Sequence, residues 1–294
     1  MNQVVRDDRI YRITRWVLAV VNVALLFAFL VLYIEPQSTA TNFAWEIKPP
    51  LTAVFMGAGY ISGAYMFIFA IIGRQWHRVK NSLLPVSAFA AIMLLVTLLH
   101  YDRFLQGNLV FILWLIIYII TPFLVPWLWF HNRVTDPGTP EIHDKVVPPL
   151  LRWAAGLSGI ATLLFWITNF IYPPLLIAIW PWKLTLLTAR TVCAWGSLIS
   201  VGGLVLFRES RWSAWRYNIQ SITLWQVLMV IGSIIHRQDF INGSLVNGYF
   251  IAIIFMLLVL TFLYAWMEFG GPSQVGLNDR SHSQQSGPVT SKDL

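Results

Sequence analysis

One stretch of this chain occurs twice. Sliding the sequence against itself by 136 positions lays Leu51-Thr52-Ala53 on Leu187-Thr188-Ala189 without a gap. The same shift lays Trp76 on Trp212, Met93 on Met229, His100 on His236, Phe104 on Phe240 and Gly107 on Gly243. Upstream, with one residue of slippage, Arg15-Trp16 falls on Arg152-Trp153, Pro36 on Pro173 and Trp45 on Trp182. Leucine meets leucine by chance in an apolar chain; tryptophan and histidine in an ungapped register do not. Two copies of one unit must fold alike and be related by an internal axis, and that limits the available architectures more than any other feature.

The kind of unit follows from polarity. The chain is 57% hydrophobic and only 11% charged, with a mean hydropathy of +0.65, where a soluble domain carries about 25% charged residues. A membrane span needs about 20 apolar residues. Eight segments qualify: Trp16–Ile34, Leu51–Ile72, Leu83–Leu99, Leu109–Phe130, Trp153–Tyr172, Leu186–Phe207, Ile219–Ile235 and Leu245–Trp266. The third and seventh are the shortest. The expected fold is an all-α integral membrane protein, with eight transmembrane helices arranged as two parallel four-helix repeats. Residues 1–130 form the first repeat and 131–149 a turn-rich cytoplasmic linker containing Asp136-Pro-Gly-Thr-Pro140. Residues 150–268 form the second repeat and 269–294 a disordered polar tail.

Lys and Arg set the orientation. Arg6, Arg9, Arg12 and Arg15 precede the first span. Arg74, Arg78 and Lys80 lie between the second and third. Arg133, Lys145 and Arg152 border the linker, Arg208, Arg211 and Arg216 lie between the sixth and seventh spans, and Arg280 and Lys292 are in the tail. The other side has one basic residue per loop: Lys48, Arg103, Lys183 and Arg237. Both termini are therefore expected in the cytoplasm, with the protein in the cell (inner, plasma) membrane. The net charge of +7 reads as basic loops rather than a nucleic-acid surface. Cys193 is the only cysteine, which excludes an internal disulfide and a Cys-based metal site. The first apolar run has a partner in the second half, so it reads as a retained helix and not a signal peptide.

Other features have structural readings. Eleven of the fifteen tryptophans lie near span ends (Trp16, Trp45, Trp76, Trp127, Trp129, Trp153, Trp180, Trp182, Trp212, Trp215 and Trp266), as an interfacial belt would. Small residues at Gly57, Gly59, Ser62 and Gly63 read as a helix-packing face. Pro122 and Pro126 predict a kink in the fourth span.

The residues with chemistry gather on the less basic side. His100 and His236 end the third and seventh spans, with Asp102 and Asp239 beside them. Facing each other across the axis, two imidazoles can hold a haem iron; with a carboxylate added they can hold a divalent metal. The plainer reading is that each caps its own helix. Arg190 is the one basic residue well inside a span, and its repeat counterpart is Val54. It reads either as an anion or substrate grip in an outward cavity or as a buried ion pair, with Asp239 the expected partner.

In outline, two parallel bundles of four helices resemble haem A synthase. That family carries two histidine ligands per half, on the second and fourth helices, whereas the shared histidines here lie on the third and seventh. The resemblance is one of architecture, and no function follows from it. No nucleotide-binding, hydrolase or zinc-protease motif occurs, so enzyme activity is not the first expectation. That expectation is a transport or solute-binding protein. Its outward-facing polar cavity at the repeat interface would be lined by Arg190, His100, His236, Asp102 and Asp239 and would take a small molecule or ion. The alternatives are a haem- or metal-binding redox protein using His100 and His236, and an assembly protein without a ligand site. Its surroundings are the lipid bilayer.

Reporter fusions test the topology. A fusion within 131–149 is expected to report the cytoplasm, and an extracytoplasmic signal there overturns the assignment.

Overall fold

The structure, a computed structural model, describes residues 6–241 and 243–270. Among these residues it is helical, with three isolated bridges and no strand. Eight helices are long and apolar enough to cross a membrane. They are named α1 (Arg12–Phe29, running on through a wider turn at Leu30–Ile34), α2 (Pro50–Ile72), α3 (Lys80–Leu99), α4 (Leu109–Asn132), α5 (Pro149–Ile171), α6 (Leu186–Phe207), α7 (Trp212–Ile235) and α8 (Ser244–Ala265). Residues 269 and 270 complete the turn Trp266–Gly270 that ends α8. The rest of the expected disordered tail lies outside the described residues.

Helices α1 and α5 start at Arg12 and Pro149, four residues before the expected Trp16 and Trp153, and two further starts differ. Helix α3 begins at Lys80 and α7 at Trp212, so α7, with 24 residues, is among the longest helices rather than the shortest. Hydropathy misses these first turns because they are polar, yet they are buried and paired. Asn81 Nδ2 donates to the Ala214 carbonyl at 3.3 Å, and Ser213 Oγ donates to Asp144 at 2.6 Å. A polar turn can sit inside when its groups are satisfied.

The helices form two rows. In one, α2 lies between α1 and α7, and α8 packs on α7; in the other, α6 lies between α5 and α3, and α4 packs on α3. Each row draws helices from both halves of the chain. The rows meet where α2 touches α6 and α3 touches α7. Missing side chains permit the close crossings. A Cβ on Gly59 would stand 2.3 Å from the Trp195 ring, and one on Gly203 would stand 2.5 Å from the Ala155 carbonyl oxygen. Gly57 likewise receives the end of α1. Pro126 leaves the Pro122 carbonyl without its helical donor; Ser87 of α3 supplies one at 3.2 Å, and α4 continues unbroken.

Cross-connections recur in the two halves. Trp76 N–H donates to the Asp8 carbonyl at 2.7 Å and Trp212 N–H to the Lys145 carbonyl at 2.9 Å. Leu105 N–H donates to Ala44 and Ile241 N–H to Pro181, both at 2.9 Å. These contacts bury four of the tryptophans assigned to the belt: Trp45, Trp76, Trp182 and Trp212 are at most 1% exposed. They plug the two ends of the bundle from within. Trp16, Trp127 and Trp153 do face outward.

The end bearing the N-terminus holds a network of ion pairs. Arg211 is buried; Nη1 donates to Asp136 at 2.9 Å, and Nε and Nη2 donate to Glu209 at 2.8 Å. Lys80 Nζ reaches Asp136 at 2.7 Å and Glu209 at 3.0 Å, so two cations meet two anions. Burial by itself would raise both acids. Hydrogen bonds from Arg211 and Lys80 outweigh it, holding Asp136 far below the carboxylate range and Glu209 at about 2. The linker thus does more than turn the chain: Asp136 and Asp144 reach back to α3 and α7, and Glu141 to Arg78 in the turn before α3.

Removing one member of a buried pair costs about 3–5 kcal/mol, because the partner charge stays buried. Arg211→Leu should lose stability on that scale in thermal melts of the purified protein. Arg216→Leu, which breaks a partly exposed pair with Glu268, should lose clearly less; equal losses would contradict the network's role.

Candidate functional site

The end opposite the ion network carries the candidate residues. His100 and His236 are the C-cap residues of α3 and α7, and their backbone N–H groups close the last turns on Val96 and Gly232. Both loops then tighten at Gly107 (φ +87) and Gly243 (φ +145), backbone conformations that side chains disfavour. Thus far the capping reading describes the positions. The side chains go elsewhere. His100 Nε2 lies 2.9 Å from Arg190 Nη1, which makes that nitrogen the acceptor and the imidazole neutral in this pair. Arg190 Nε donates to the Phe170 carbonyl at 3.2 Å, and its guanidinium lies over the Phe170 ring.

Arg190 is therefore not paired with Asp239. That carboxylate accepts from the backbone N–H of Leu51 at 2.8 Å and so caps α2, where a negative charge suits the helix dipole. His236 Nδ1 stands 4.0 Å from Asp239 and has no hydrogen-bond partner among the described residues. Asp102 pairs with Arg103 at 3.1 Å on the exposed surface. No hydrogen bond joins His100 to His236; His100 meets Arg190, and His236 lies toward Asp239. The structure brings Arg190 to His100 and Asp239 to the start of α2, and leaves Asp102 outside. Among the described residues no three His, Cys, Asp or Glu side chains converge closely enough to hold a metal ion.

Space also remains among the helices away from these residues. A cavity of about 480 Å³ lies between the two rows, and every one of the eight helices contributes to its wall. No charged side chain or histidine lines it. Arg190 sits on α6 five residues before the first lining residue of that helix, Trp195, which is about 7 Å along the axis. On the side toward Arg190 the wall is aromatic. Trp195 contacts Tyr60, Phe89 and Trp225, with ring centroids 4.5 to 5.3 Å apart, and Phe55 packs behind them. Tyr60 and Tyr118 share a hydrogen bond at 2.9 Å. Most other wall hydroxyls are satisfied locally: Ser62 donates to Ala58, Ser82 to Val79 and Ser221 to the Ser62 carbonyl. The Trp195 indole N–H is buried without a hydrogen-bond partner among the described residues.

Sequence reasoning missed this cavity, although a signal was present. Trp195 and Trp225 are among the four tryptophans that lie mid-span rather than at span ends. A bulky indole at bilayer depth has no interfacial role, so it must be packed internally or bound to something.

At the other end, Asp8, His77 and Ser213 lie in the order of an acid, a base and a hydroxyl. His77 Nδ1 is 2.5 Å from Asp8, and Nε2 is 3.0 Å from Ser213 Oγ. This is not a hydrolase triad. Ser213 gives its hydrogen to Asp144, and Nε2 also faces Glu141 at 2.9 Å, so the imidazole has no hydroxyl proton to take. All of these groups are buried or half-buried within the ion network.

Compared with models of protein families, with curated proteins and with solved structures, the chain matches none.

His100 offers a direct check on the Arg190 contact. Burial holds His100 below the ordinary imidazole value, and the Arg190 charge lowers it further, against a smaller pull from Asp102. In Arg190→Gln the His100 titration, followed by NMR and assigned with His100→Asn, should move to higher pH. A midpoint that stays in place would mean the two side chains are apart.

Proposed function

We propose that this chain is a multi-pass protein of the cell membrane, with both termini cytoplasmic and two parallel four-helix repeats. Between its helix rows it binds an apolar or amphipathic molecule, as a carrier or binding protein for that ligand. The carrying observation is the cavity: about 480 Å³, walled by all eight helices and free of charged side chains. Such a space favours hydrocarbon by excluding water, and it disfavours a free ion, whose desolvation nothing in the wall would offset.

The recurring cross-connections of the two halves support the repeat reading, and the apolar helix surfaces support the bilayer. A cavity at the junction of repeats is where transport proteins hold their ligands. The polar outward cavity expected around Arg190 is replaced in this reading by an apolar one deeper in the bundle. Arg190 and His100 become an end contact beyond its aromatic wall.

Gly202 gives a clean test. It lines the cavity, and a Cβ there would meet only Pro85, at 3.9 Å, so a larger side chain has room to enter. Wild-type protein purified in mild detergent should retain an extractable apolar compound, identified by mass spectrometry. Its tryptophan fluorescence should also be quenched by a spin-labelled fatty acid. Gly202→Phe should lose both while melting near the wild-type temperature. The cavity reading fails if wild type carries no compound and shows no quenching, or if Gly202→Phe behaves as wild type.

A further inference from the structure

The basic residues at the N-terminal end are not equivalent, and their differences point to a second site. Arg78, Lys80, Arg211 and Arg216 are each matched by carboxylates. These four lock connectors together and have little charge left over. Arg9, Arg12 and Arg15 instead line one open groove of about 800 Å³ at the start of α1, together with Tyr11, Trp16 and Ile71.

Their charges are nearly unopposed. Among the described residues Arg9 pairs with Asp7 alone, at 3.5 Å, with Arg9 itself well exposed, and such a pair is weak in water. Arg12 is exposed and has no ion-pair partner among the described residues. Arg15 donates Nε to the Ile10 carbonyl at 3.3 Å and Nη1 to the Ile71 carbonyl at 3.2 Å. Those two bonds fix its guanidinium across the seam between α1 and α2 but supply no anion. The backbone of Arg9 bridges to Gln75, bringing in the exposed Arg74 next to it.

The groove changes character along α1. Arg12 and Arg15 are one turn apart on the same face. Trp16, 71% exposed, and then Ala19 and Ile71 continue the wall toward the apolar part of the helices. A basic mouth leading to an exposed indole and an aliphatic wall has the polarity profile of a lipid: anionic headgroup, interface, acyl chain. The fold does not demand these arginines. In the second half the positions of Arg9, Tyr11 and Arg12 hold Val146, Pro148 and Pro149, and Arg152 alone keeps its place opposite Arg15.

We propose that the groove of Arg9, Arg12 and Arg15 at the start of α1 binds the headgroup of an anionic phospholipid, with an acyl chain lying beside Trp16 and Ile71. The site is separate from the central cavity and does not depend on what that cavity holds. The phosphate is the shared chemistry of a lipid headgroup and free inorganic phosphate; the apolar continuation of the groove favours the lipid.

Native mass spectrometry of the full-length protein, given equal amounts of dioleoyl phosphatidylglycerol and dioleoyl phosphatidylcholine, tests this. Wild type should retain the anionic lipid preferentially. Each arginine removed should weaken that preference about fivefold, so Arg12→Gln should lose one such factor and Arg12→Gln with Arg15→Gln about two. Arg12 touches no described partner, so the single variant keeps the fold even if Arg15 matters to it. Arg208→Gln, an exposed arginine of another connector at the same end, should retain the wild-type preference. Equal retention of both lipids by wild type, or an unchanged preference in Arg12→Gln and the double variant, overturns the proposal. If inorganic phosphate binds as tightly as the anionic lipid, the acyl wall contributes nothing and the lipid assignment falls.

Discussion

Charge withdrawn from water must be matched, and the arrangement of this protein follows from how that is done at its N-terminal end. Arg211 and Lys80 face Asp136 and Glu209 as a closed group of four. Each member comes from a different place: the start of α3, the linker, the end of α6 and the start of α7. Leaving any one unpaired would cost several kcal/mol, of order 3–5. The group therefore forces α3 and α7 to begin side by side and the linker to fold back over them. Asp144 and His77 extend the same clamp through Ser213. The space between the two rows lies further along the helices.

Toward the ion network that space is walled by Ser82, Pro85, Trp215 and Asn218, and away from it by rings. Trp195, Trp225, Phe89 and Tyr60 fill the crossing of α2 and α6, made possible by the bare Gly59 backbone. Beyond the rings the chemistry turns polar again at Arg190 and His100. The molecule thus alternates charge, hydrocarbon, aromatic ring and charge along its axis. An apolar ligand belongs in the second layer, and an ion would find no partner there.

How much of this was legible in the sequence differs by residue. His100 and His236 were placed correctly at helix ends because hydropathy falls sharply after Leu99 and Ile235. Their partners were not legible. Arg190 looked destined for Asp239, the carboxylate on its own half of the chain; it meets His100 instead because α6 packs on α3 of the other half. Trp76 and Trp212 looked interfacial because they border spans, yet the backbone bonds to Asp8 and Lys145 draw them inside. The polar first turns of α3 and α7 read as loop because a hydropathy window counts polarity and cannot see that it is satisfied.

The sequence by itself determined eight apolar lengths, the register of the internal match, the concentration of Lys and Arg at one end, and the histidines that close two helices. These depend on composition and spacing along the chain, which local physics reads directly. Packing of the helices set which carboxylate meets which cation, which tryptophans are buried, and where a cavity remains. Periodicity says that a helix has a face to bury, but not which helix will meet it. Here each row combines helices from both halves, so the decisive contacts join residues about a hundred or more positions apart, such as His100 with Arg190 and His77 with Ser213.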